Sequence, residues 1–132
     1  MNSVEKLLKL DAGKIVMPTK VVTLKLGKLD GLKLDFECKA VDPEKYSEIQ
    51  ENSLEIKKGD IKKINMHNTK VLTLIEGCPG VFKSKEVQEH FGCPTPKELV
   101  NKLLLSGEID ELYNNIVELS GYEKDEESDI KN

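Results

Sequence analysis

The soft and nucleophilic side chains of this chain are few: three cysteines, Cys38, Cys78 and Cys93, and two histidines, His67 and His90. A zinc centre would have to draw on His67, Cys78, His90 and Cys93, the members nearest one another in sequence. Cys78 stands twelve positions before His90 and Cys93 three after it, a spacing that fits no closed four-ligand zinc site. A Cys–His pair for nucleophilic catalysis needs an activated thiol, and no neighbouring residue marks one. An odd number of widely spaced cysteines without a C-x-x-C suits reduced thiols rather than a disulfide framework. Glu108, Asp110 and Glu111 crowd carboxylates together, as acid–base chemistry would require. They also fall in the first turn of a helix, where negative charge is favoured by the dipole, and that explains them without catalysis. Tyr113 and Tyr122 read as core and helix-end contacts rather than ligand stackers. The nine glycines are scattered at turns and helix ends, so no phosphate-cradling loop is present. The expectation is a binding protein and not an enzyme, with no catalytic residue, cofactor or metal.

Charge narrows the partner. All twenty basic residues are lysine, which removes the bidentate arginine fork best suited to phosphate and guanine. The net charge of −4 is concentrated in the last ten residues, with five acids against two lysines, so the body is nearly neutral. Electrostatic capture of nucleic acid is therefore not expected. No apolar run approaches the roughly 18 residues of a membrane span, and the first residues lack the apolar core of a signal peptide. These features place the protein in the cytoplasm, away from membranes. A length of 132 residues suits a single domain over 1–122 followed by a flexible acidic tail over 123–132.

The elements that hold these residues are legible from their punctuation. Thr95 caps a helix with Pro96 at its first position and Glu98 three residues after the cap. Leu99, Val100, Leu103 and Leu104 make its apolar stripe. Ser106-Gly107 breaks the run, Ser106 can cap the next helix, and Ile109, Leu112, Tyr113, Ile116, Val117 and Leu119 form a second stripe closed by Gly121. So short a break predicts a helical hairpin whose apolar faces meet. Earlier, Asn2–Leu10 reads as a short helix with Val4, Leu7 and Leu8 on one face. The linker Asp11–Thr19, with Gly13 and Pro18, separates it from the rest, so this helix is expected to dock loosely or on a partner. Lys20–Leu26 and Leu32–Ala40 alternate and form an antiparallel hairpin, with Val22, Leu24 and Leu26 inward on one strand. Leu32, Leu34, Phe36, Cys38 and Ala40 face inward on the other. Asp42-Pro43 starts a helix to about Glu51. Leu54–Asn65 is a poorly ordered connection or a small hairpin adding to the sheet. Val71–Ile75 is ambiguous between strand and buried helix; its flanks, together with the resemblance given below, favour helix. Ser84 caps a further helix in which Val87 and Phe91 stack before Gly92. The fold class is α+β: an N-terminal antiparallel β-hairpin or small sheet packed on a mainly α-helical C-terminal half.

Several of these stretches, in this order, carry a resemblance. PTPKELVNKLLLSGEIDEL (Pro94–Leu112), IVELSG (Ile116–Gly121), FECKAVDPEKYSEIQ (Phe36–Gln50) and VQEHFG (Val87–Gly92) are similar to the XkdN-like tail assembly chaperones of long-tailed phages and PBSX-type prophages. Ser106 departs from the proline expected there in many relatives, a change a helix start accepts. The resemblance implies a chaperone that coats the tape measure protein, keeps it soluble and helps recruit the major tail tube protein, with self-association also open. It implies action in the bacterial host cytoplasm and absence from the mature particle. In many tail systems such a protein also exists in a longer, frameshifted form, to which the acidic tail would make a flexible joint. The alternative is a small structural or adaptor component of a phage-tail-like particle. The expected contact is an apolar groove beside the C-terminal helical pair, using Leu103, Leu105, Ile109 and Leu112. The plainer reading is that all four are internal core, as apolar helix faces usually are.

Overall fold

Alternation of apolar and polar residues between Thr19 and Lys39 builds the first pair of elements. In the computed structural model, which describes residues 2–57 and 60–122, strands β1 (Thr19–Leu26) and β2 (Leu32–Lys39) run antiparallel. Val22 lies opposite Phe36, Leu24 opposite Leu34, and Leu26 opposite Leu32. The turn between them places Asp30 in the left-handed region at φ 56°, which a short polar side chain tolerates. Val22, Leu24, Leu26, Phe36, Cys38 and Ala40 are buried. Leu32, expected inward, is 51% exposed. It lies at the turn end of the ribbon, past the cover that buries Leu26 across from it.

Helices occupy most of the remaining described chain. They are α1 (Ser3–Leu8), α2 (Pro43–Asn52), α3 (Met66–Gly77), α4 (Pro79–Phe82), α5 (Lys85–His90), α6 (Pro96–Leu103) and α7 (Ser106–Leu119). Their starts are set by side-chain caps: Asn2, Asp42, Asn65, Ser84 and Thr95 each accept backbone N–H groups of the first turn. α7 differs. Its cap residue is Leu105 rather than the expected Ser106, and Glu108 Oε1 accepts from the Leu105 N–H at 2.7 Å. A carboxylate reaching back thus replaces the hydroxyl. At the other end Gly121 (φ 99°) closes α7: Tyr122 N–H donates to Val117 O and Gly121 N–H to Glu118 O. This is a Schellman motif, which needs a residue at ease with positive φ.

The centre of the molecule is α3. Within its 66–77 span Thr69, Val71, Thr73, Leu74, Ile75 and Gly77 are buried, so most of the circumference of its later turns is covered by neighbouring elements. α2, α4, α6 and α7 all lie against it, and α7 also covers β1 and β2. The predicted hairpin of α6 and α7 is corrected here: each helix turns its stripe mainly to α3 rather than to the other. The reason is geometric. Leu104 and Leu105 join the two helices in extended conformation instead of a tight turn, leaving room for α3. Gly77 permits the approach, since a Cβ there would fall 2.5 Å from Ile116 Cδ1.

The stretch after α2 forms a second hairpin, β3 (Leu54–Lys57) and β4 (Asp60–Ile64), with Leu54 opposite Ile64. It pairs with itself and does not extend the β1–β2 sheet. Its ends are held between α2 and α3, where Asn65 N–H donates to Ser53 O at 2.6 Å. The acidic tail expected from residue 123 lies outside the described residues. One apolar cluster joins the first hairpin to α2, α3, α4, α6 and α7.

Candidate partner-binding surface

The four leucine and isoleucine positions expected to line a groove separate in the structure. Leu103, Ile109 and Leu112 are buried, at 3%, 4% and 0% exposure, inside the core that α6 and α7 share with α3. Leu105 is 46% exposed and rests against Gly27 at the tip of the first hairpin. It is the member of the set whose side chain is at the surface. Beneath it Glu108 holds two backbone groups at once, Leu105 N–H and Gly27 N–H, the latter to Oε2 at 3.0 Å. Lys28 Nζ donates to Asn101 O at 2.8 Å close by. These bonds fasten the hairpin tip to the junction between α6 and α7.

The residues weighed for chemistry are likewise occupied in structural contacts. Cys78 meets Cys38, with the sulfurs 3.4 Å apart, and not His90 or Cys93. Both thiols are buried and reduced, and the hydrogen bond to Cys38, with burial adding to it, pushes the Cys78 thiol up. Cys93 is a third buried free thiol. His67 Nε2 is hydrogen bonded to Asn101 Oδ1 at 2.9 Å, and His90 packs edge-on against Phe91. Among the described residues no group of His, Cys, Asp or Glu is arranged to hold a metal ion. Of the carboxylates, Asp110 pairs with Lys70 at 2.7 Å, and Glu108 is committed as described. Tyr113 shares a hydroxyl contact with Tyr46 at 3.2 Å, and Tyr122 packs its ring on Tyr46. Burial first, and then the bond to Tyr113, raises the Tyr46 pKa. Among the described residues no helix is long and apolar enough to cross a membrane.

Exposed apolar surface gathers elsewhere. α1 has no buried residue, and Val4, Leu7 and Leu8 are 63%, 67% and 80% exposed. Leu10, Ile15 and Val16 continue the exposure through the linker, and Leu7, Leu10 and Ile15 line a groove of about 280 Å³ made from this segment's own residues. The pattern of Val4, Leu7 and Leu8 signals the helix face. That the stripe continues past Leu10 without cover is not visible from periodicity, because the linker has none.

Residues 4–132 match the family model described as Phage XkdN-like tail assembly chaperone protein. A crystal structure titled as that of the protein yqbn is similar with a TM-score of 0.59 at 18% identity, covering 86% of this chain and 93% of the other. At that identity the likeness establishes a shared fold. Among curated proteins none matches.

Proposed function

This chain belongs to the phage XkdN-like tail assembly chaperones, and we propose from that membership that it binds the tape measure protein of its own tail system. It keeps that protein soluble and helps bring tail tube subunits to it, in the cytoplasm of the bacterial host and without a catalytic step. The match over residues 4–132 is the observation that carries the reading. The physical task is clear. A tape measure is long and helical, and it presents repeated apolar stripes until the tube encloses it; such surface aggregates unless masked. A small domain present in many copies can mask it, provided each contact is weak enough for tube subunits to displace. Interfaces below about 1,200 Å² serve transient contacts of this kind. The uncovered apolar residues of the leading segment are consistent with such a contact.

The test separates an assembly factor from a part of the particle. In cells assembling tails, this chain should be abundant in the lysate and missing from purified particles, and deleting its gene should abolish tails or reduce their yield sharply. Its presence at fixed stoichiometry in purified particles would replace the chaperone reading with that of a structural or adaptor component.

A further inference from the structure

Of the three buried thiols, two face each other. Cys38 sits near the end of β2 and Cys78 at the joint between α3 and α4, with their sulfurs 3.4 Å apart. A second contact holds the same two stretches of chain in register. Phe36 and Cys38 project from one side of β2, as strand alternation requires of residues two apart. Phe36 stacks on Phe82 with ring centroids 6.0 Å apart. Phe82 lies one helical turn beyond Cys78, its N–H donating to Cys78 O at 3.2 Å. Cys78 is the single residue between α3 and α4, at φ −128° and ψ 57°, so a small adjustment there need not distort either helix.

The two sulfurs also differ in their hydrogen bonding. The Cys38 S–H donates to Phe36 O at 3.7 Å, which leaves Cys78 to donate to the Cys38 sulfur. When Cys38 gives up its proton, the Cys78 S–H remains to stabilise the thiolate. That hydrogen bond, opposed by burial and aided by the Lys20 ammonium on the paired strand, holds the Cys38 thiol below its ordinary range. Cys93 is also buried, but its sulfur is directed to Phe91 O at 3.6 Å rather than to another thiol.

We infer that Cys38 and Cys78 form a redox modification site, closed by hydroperoxides into a disulfide that staples β2 to α3. The sulfurs must move from 3.4 Å to the roughly 2.05 Å of a disulfide bond. With hydrogen peroxide, the Cys38 thiolate attacks one oxygen and the O–O bond breaks. Cys38 becomes a sulfenic acid, and the departing hydroxide takes up a proton as water. The Cys78 sulfur then attacks the Cys38 sulfur; its proton leaves with the sulfenic hydroxyl as a second water, and the S–S bond forms. Two thiols are oxidised by two electrons and one peroxide is reduced; a thiol reductant reverses the change by exchange. This is slow oxidation of a buried pair, reached by an oxidant hardly larger than water, and not the activated thiol of a catalytic site. It is independent of what the protein binds.

The experiment treats the reduced, native full chain with hydrogen peroxide and then unfolds it in denaturant containing N-ethylmaleimide. The cysteine peptides are mapped by mass spectrometry. The expected product has lost two hydrogen atoms, links the Cys38 and Cys78 peptides, leaves Cys93 alkylated, and reverts with a thiol reductant. Because the bond closes a loop of forty residues, the melting temperature should rise by roughly 10 °C over the reduced form, with circular dichroism unchanged. Cys93→Ala should behave as the parent, and Cys78→Ala should lose both the link and the shift. The parental peptide map decides the matter even if Cys78→Ala does not fold. Native thiols left untouched while the unfolded chain is oxidised would overturn the inference. So would sulfinic acid on single cysteines without a link, a link to Cys93, or a Cys38–Cys78 link that leaves the melting temperature unchanged or lowers it.

Discussion

Leu112 is where a single side chain decides most. It is fully buried beside α3, so Leu112→Ala should remove about 2–5 kcal/mol in urea unfolding. Leu112→Asp, which buries an unpaired charge, should leave the chain unfolded at room temperature. A variant with aspartate at this position that melts like the parent would show that the stripe is not core. The thiols give a second check. Cys38, Cys78 and Cys93 are all buried, so a chromogenic disulfide reagent should label none quickly in the native state and all three after unfolding. One rapidly labelled cysteine in the folded protein would revive thiol chemistry. The third check is pH. Tyr46 has a raised pKa in the fold, so the native state holds this proton more firmly than the unfolded chain. Its contribution is complete below the unfolded pKa and is lost as pH rises. The melting temperature should therefore decline above the ordinary tyrosine range near 10, and Tyr46→Phe should flatten that decline. Much at this scale was legible in the sequence, because caps and stripes are local. The pairing of Cys38 with Cys78 was not, since forty positions separate them and only the docking of β2 on α3 brings them together.

Among the elements, α3 organises the packing and was the hardest to read. Amphipathic helices such as α6 and α7 announce both type and inward face, because polar residues mark the other side. The central run of α3, Val71–Ile75, lacks such contrast, so taken alone it reads as a strand or as a buried helix. Its position between α6 and α7 also overrode the simplest inference from their short connection. The β3–β4 hairpin was half legible: its turn signal is local, whereas which sheet a strand joins depends on where its ends are held. The close approach of α3 and α7 makes a definite prediction. Gly77→Ala places a methyl group against the Cδ1, Cγ1 and Cγ2 atoms of Ile116, which is itself fully buried. It should cost about 1–3 kcal/mol in urea unfolding, and adding Ile116→Val should recover part of that loss. If Gly77→Ala proves neutral, α3 and α7 are not in the contact described. At the hairpin tip, Glu108→Gln keeps an acceptor for one of the two N–H groups but loses the charge that strengthens both bonds. A loss of about 1 kcal/mol is expected.

For the whole molecule, the fold of this member of the family is a small α+β body built around α3, preceded by a short segment whose apolar residues Val4, Leu7 and Leu8 are exposed. The body explains its own stability through buried side chains. The α1 segment has no buried residue and adds little to that burial, so core substitutions should lower the melting temperature more than substitutions of Leu7 or Leu8. Under the proposed function, many copies of this chain coat one tape measure protein and keep it soluble. This is tested most directly by the light-scattering mass of the complex purified after co-expression of this chain with the tape measure product of its locus. The expected result is a soluble complex whose mass exceeds that of the tape measure by many multiples of 14.8 kDa, and an insoluble tape measure when this chain is omitted. A tape measure that is equally soluble alone, with no added mass in the presence of this chain, would contradict it.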